Sequence, residues 1–76
     1  QLMPHSPYFG PGFLATLQLA ALESSDCMIE RFYLTPEASL YGEWIDPTDG
    51  AFDLPEGPGL GVLPDPDVIR EYRVEV

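Results

Sequence analysis

The sequence predicts an α/β arrangement: the end of a strand, a loop, a helix and a second strand, then a longer irregular half. Three observations predict it. The stretch from Phe13 to Glu23 is rich in Ala and Leu and has helical periodicity. The apolar run Cys27-Met28-Ile29 suits a strand buried on both faces, as in a parallel sheet. From Thr35-Pro36 onward, turn and breaker signals recur at short intervals. Loop, helix and strand in that order make half or more of a strand–helix–strand unit.

Gln1 to Met3 fits the end of a strand. Pro4 and Pro7 each fix φ and remove a backbone donor, and they push Met3 and Ser6 toward extended conformations. Residues 4–12 are therefore a loop. Pro11 is well placed at a helix start, and Phe13, Leu17, Ala20 and Ala21 fall on one face. Ser24-Ser25-Asp26 ends the helix. The next apolar segment continues through Glu30-Arg31 to Phe32-Tyr33-Leu34.

In the second half, residues 40–45 read as extended, with Tyr41 and Trp44 as packing anchors. Asp46-Pro47-Thr48-Asp49-Gly50 is a turn, and Ala51 to Leu54 alternates like a short strand. Pro55 to Gly61 is a tight loop. Its glycines lack the spacing of a phosphate cradle. Asp65 is placed to cap a helical turn that starts at Pro66, with Val68, Ile69 and Tyr72 as its buried side. Arg73 to Val76 alternates and reads as a last strand.

At 76 residues the core is marginal, and nine prolines with seven glycines strain it further. Yet 45% of residues are hydrophobic, too many for a disordered tail. Both facts fit a piece of a larger body. Thirteen acids face three arginines, for a net charge of -10, which excludes nucleic acid and anionic membranes as partners. No apolar run reaches the ~18 residues of a membrane span, and no signal peptide is visible. The single cysteine, Cys27, excludes an internal disulfide and fits a reducing compartment. Cytoplasmic location is the expectation.

His5, the one histidine, follows a strand end and precedes a helix, where sites collect in α/β folds. Imidazole exchanges a proton near neutral pH. The alternative is a structural ring that caps a loop. Glu30 stands at the end of the apolar run, where desolvation would raise its pKa and make it a donor or acid. The alternative is an ion pair. Its neighbour Arg31 should face away from it, because adjacent strand residues point to opposite faces. Neighbouring parallel strands would set His5 and Glu30 on one cleft, as an acid–base pair. Cys27 reads as inert core, and Asp46, Asp49 and Asp53 as turn formers without calcium-loop spacing.

The set Pro4-His5-Ser6, the helix from Phe13 to Leu22, Ile29-Glu30-Arg31-Phe32, Asp49-Gly50, Leu54-Pro55, Gly57-Pro58-Gly59-Leu60-Gly61 and Ile69 to Val74 carries a resemblance. In order and spacing it resembles the carboxyl-terminal end of the mandelate racemase/muconate lactonizing enzyme family, in the enolase superfamily. The resemblance implies a fragment of a larger fold. Residues 1–34 would be the last strand–helix–strand portion of a (β/α) TIM-like barrel, from the end of the seventh strand to the eighth. Residues 35–76 would return to pack on an α+β capping domain.

The family abstracts the proton α to a carboxylate and stabilises the enediolate with magnesium. By resemblance His5 matches the seventh-strand base. Glu30 matches the glutamate that ends the eighth strand and hydrogen-bonds the substrate carboxylate. The Mg2+ ligands, the second-strand base and the aspartate that orients the histidine would lie upstream, so the chain alone should be inactive. The expected partners are a small carboxylate substrate such as an acid sugar, the rest of its own chain, and further copies in a homo-oligomer. An acid-sugar dehydratase is the leading expectation. A racemase or epimerase of the same family, a non-catalytic remnant of a barrel enzyme and a small acidic interaction module are the alternatives.

Overall fold

The computed structural model describes residues 3–23 and 26–75. The elements are helix α1, Pro11–Glu23, a 3₁₀ turn, Gly42–Ile45, and helix α2, Pro66–Tyr72. The expected stop at Ser24-Ser25, the strand end at Gln1-Leu2 and the final Val76 lie outside the described residues.

Helix α1 begins at Pro11, where the missing N–H costs nothing. Phe13, Leu14, Leu17 and Ala20 are its buried residues. Leu14 was not expected there, and Ala21 was. Ala21 points to the same side but lines an open cleft of about 460 Å³ with Met28 and Phe52. The opposite side of the helix is also apolar, with Leu19 and Leu22 strongly exposed.

The expected strands are not formed among the described residues, where one isolated bridge, Thr48 with Ala51, is the whole of the β pairing. A parallel strand is held by hydrogen bonds to a neighbouring strand. Residues 27–34 have no such neighbour, so they run as irregular chain. Met28 is exposed and Ile29 packs against the core, which replaces burial on both faces. Cys27 is half-buried.

Residues 40–45 are not extended. Gly42 takes φ 61, and a 3₁₀ turn follows. This turn puts Tyr41 and Ile45, four residues apart, on the core side together. Trp44 is left 38% exposed, so Tyr41 is an anchor and Trp44 is not. The Asp49-Gly50 turn forms as expected. Both residues have positive φ, 51 and 80, as a two-residue hairpin turn of the primed type requires. Thr48 N and Ala51 O lie 2.7 Å apart, and Ala51 N and Thr48 O 3.1 Å apart. The strand expected at 51–54 shrinks to its first residue.

The loop after Pro55 folds back on itself. Gly61, at φ 88, lies so close to Pro55 that a Cβ on it would stand 2.5 Å from the proline Cβ. A Cβ on Gly57 would stand 2.9 Å from Gly61 O. The glycines therefore serve backbone packing. Asp65 caps α2, its side chain accepting from Asp67 N at 2.9 Å with Pro66 in the first turn. Asp65 N also donates to Leu40 O at 2.7 Å, which ties this helix to the 3₁₀ region. The expected buried side of α2 is not covered: Ile69 and Tyr72 are both exposed, and α2 has no buried residue. With Phe9 and Leu40 they line an open cleft of about 530 Å³. The alternating stretch after Tyr72 pairs with nothing as a strand, among the residues described.

The core is therefore α1 against the 3₁₀ turn: Phe13, Leu14, Leu17, Tyr41 and Ile45. Phe52 meets Phe13 edge to face at 5.3 Å. The accessible surface is 5868 Å², against about 4,600 Å² for a folded monomer of 8.4 kDa. The radius of gyration, 13.0 Å, is that of a chain of about 100 residues. Much apolar surface is thus left uncovered.

Candidate functional site

His5 and Glu30 are the two residues that sequence singles out, and the structure brings them together. His5 Nδ1 lies 3.1 Å from Glu30 Oε2. The neighbours of each residue set its position. Ser6 is buried, and its Oγ donates to Thr16 Oγ1 at 3.3 Å. Thr16 Oγ1 in turn donates to Gly12 O at 2.9 Å, inside α1. These bonds tie the loop to the helix beside His5, whose own side chain is 78% exposed.

On the other side, Ile29 packs on the core just before Glu30. Arg31 follows and bonds away from Glu30, although no strand forms there to impose the expected alternation. Its Nε and Nη2 reach Asp46 Oδ1 at 3.2 and 3.0 Å. Its Nη1 donates to Phe32 O and, at 2.9 Å, to Leu34 O. The guanidinium also sits 4.8 Å from the centre of the Phe9 ring. Glu30 is thus held between two residues that are anchored elsewhere.

The glutamate has two unlike oxygens. Its side chain is 36% exposed overall, and Oε2 meets His5. Oε1 is sealed from solvent and has no hydrogen-bond partner among the described residues. A sealed carboxylate oxygen normally has a donor. This one lacks a donor among the described residues.

An imidazole hydrogen-bonded through one nitrogen has the other free to take or give a proton. That is the chemistry that this pair can do. It lies on an open surface, whereas proton transfer from carbon is done in sites that exclude water. A cleft of about 670 Å³, lined by Trp44, Asp53 and Asp65 among others, lies elsewhere. The pair can form one wall of a site but not an enclosure.

Magnesium does not fit these residues. It takes near-octahedral oxygen ligands. His5 and Glu30 offer one nitrogen and one carboxylate, already bonded to each other. Among the described residues no group of three or more His, Cys, Asp or Glu could hold a metal ion. Among the same residues, no helix is long and apolar enough to cross a membrane.

Sequence reasoning missed the supports. Ser6 and Thr16 carried one weak signal, a small polar residue between two prolines facing a helix. Arg31 carried a better one: it is one of three cations among thirteen acids, and it stands beside the candidate acid.

A family model described as enolase C-terminal domain-like matches residues 1–68. No curated protein and no solved structure matches the chain.

Proposed function

The chain belongs to the enolase C-terminal domain-like family, and from that premise we propose that it supplies the acid–base wall of an enolase-superfamily active site. The observation that carries this reading is the His5–Glu30 pair, 3.1 Å apart at an open surface. The substrate would be a small carboxylate, and an acid sugar is the class proposed. His5 Nε2 takes the proton α to the carboxylate, and the C–H electron pair passes into the enediolate. In a dehydratase the same imidazolium then gives its proton to the β-hydroxyl as it leaves, so that water departs and a double bond forms. Glu30 is the residue proposed to hydrogen-bond the substrate carboxylate, sharing one proton with it.

The superfamily generally uses Mg2+. Since the residues present do not fit it, its ligands are proposed to lie outside residues 1–76. The same holds for the rest of the enclosure. Residues 1–34 would join the end of a (β/α) barrel and residues 35–76 would return to a capping domain. The uncovered apolar surface of α1 and α2 supports a larger body. A cytoplasmic homo-oligomer is the proposed setting.

The test is α-proton exchange of acid sugars in deuterated water with Mg2+. An assembled enzyme that carries residues 1–76 should lose about 100-fold or more of its exchange rate on His5→Asn. The 76-residue chain alone should give no exchange. Exchange by the isolated chain, or an unaffected rate in the variant, would overturn the proposal.

A further inference from the structure

One guanidinium joins the segment that carries His5 to the segment that carries Glu30, and we propose that Arg31 is the positioning residue that sets these two side chains against each other. Arg31 is bonded away from the pair and acts through its neighbours. This role deepens the proposed function and rests on it, because the spacing has a use only if both residues meet one substrate.

The contacts of Arg31 fall on three parts of the chain. On the Glu30 side it is the next residue, and its Nη1 donates back to Phe32 O and Leu34 O, which gathers residues 31–34 around the guanidinium. On the His5 side the guanidinium stands 4.8 Å from the centre of the Phe9 ring, within cation–π range. Phe9 lies four residues after His5 in the same loop and packs against the core. Its ring also meets that of Phe32 at 6.4 Å. On the third side Nε and Nη2 reach Asp46 Oδ1, just after the 3₁₀ turn that covers α1. The direct contact between His5 and Glu30 is exposed, and exposed pairs hold weakly. The Arg31 side chain is only 19% exposed, so its contacts are the firmer tie. Lysine could not replace it, having neither the fork for a carboxylate and two carbonyls nor the plane for a ring.

The alternative is an arginine that only stabilises the fold. The test uses the assembled enzyme that carries residues 1–76, with Mg2+, under conditions where urea titration shows each variant folded. Arg31→Lys keeps the charge but loses the fork and the plane, Phe9→Leu removes the ring alone, and Gly61→Ala is a control destabilised in the Pro55 loop. For α-proton exchange, kcat should fall about tenfold or more in Arg31→Lys, and by less in Phe9→Leu. KM should change less than kcat, because a misplaced pair harms the transition state more than it harms binding. Gly61→Ala should keep its kcat. An unchanged kcat in Arg31→Lys, or an equal loss in Gly61→Ala, would overturn the inference. Substrate-free crystal structures of the same enzyme give a readout without turnover. In Arg31→Lys the Glu30 carboxyl group should shift by ~1 Å against the His5 ring, and superimposable side chains would overturn the inference. If Arg31→Lys does not fold, Phe9→Leu carries both readouts. His5→Asn separates the two failures: an unaffected rate there defeats the acid–base reading, and the crystal structures then decide the role of Arg31.

Discussion

Arg31 and Asp46 meet through a single oxygen: Nε and Nη2 both point at Asp46 Oδ1, at 3.2 and 3.0 Å. Arg31 is mostly buried and Asp46 about half exposed. The arginine also serves two backbone carbonyls and the Phe9 ring. Removing it loses all of these together, while removing the aspartate's charge loses one exposed pair. Arg31→Ala should therefore destabilise by about 1–3 kcal/mol. Asp46→Asn should cost only about 0.5 kcal/mol. Urea midpoints of the two variants check the order. Equal losses would mean that the ion pair, and not the carbonyls and the ring, fixes Arg31.

The turn at the end of the Pro55 loop makes a second comparison. Gly59 has φ 65 with nothing within 4 Å of an added Cβ, whereas Gly61 has φ 88 and backs onto Pro55. Gly59→Ala meets only the left-handed backbone, about 1–2 kcal/mol. Gly61→Ala meets that strain and a 2.5 Å clash. It should lower the thermal midpoint clearly more than Gly59→Ala does. A smaller loss at Gly61 would count against the folded-back loop.

Tyr72 gives a pH dependence. Its hydroxyl donates to Glu37 Oε2 at 2.5 Å, and this bond, with the carboxylate's charge adding to it, pushes the phenol up to about 12. A raised pKa means that the folded chain favours the protonated form. The stabilisation is full below pH 10, the ordinary phenol value, and is lost as pH rises toward 12. Ultraviolet titration of phenolate should show one tyrosine ionising late, and Tyr72→Phe or Glu37→Gln should remove that late step. A late step that persists in both variants would exclude this bond as its cause.

The legible parts of this chain were the local ones. Helix α1 was readable because Ala and Leu favour helix and Pro11 marks its start, and no distant residue is needed for either. The Asp65 cap and the Asp49-Gly50 turn were readable for the same reason. The strands were not, because a strand is defined by a partner, and residues 27–34 have none among those described. The 3₁₀ turn had a signal that the extended reading overlooked, namely Tyr41 and Ile45 at a spacing of four. His5 and Glu30 were expected to be close because adjacent strands would carry them. They are close without strands, through anchors at Ser6 and Arg31 that no pattern in the sequence makes plain. Leu14 and Ala21 exchanged places because the 3₁₀ turn packs against α1 and leaves its last turn open.

Helix α1 has consequences for how the chain is made. Thirteen residues of helix are marginal in water without a packed face. The residues that cover this face, Tyr41 and Ile45, come nearly thirty positions after Phe13 and Leu17. A ribosome adds them at about 5–20 residues per second, so for a second or more the helix lacks the partners that residues 41–45 supply. Until Ile45 emerges, the face that Phe13 and Leu17 present lacks this cover. The order of synthesis therefore makes residues 41–45 the point at which α1 and the 3₁₀ turn can first pack on each other.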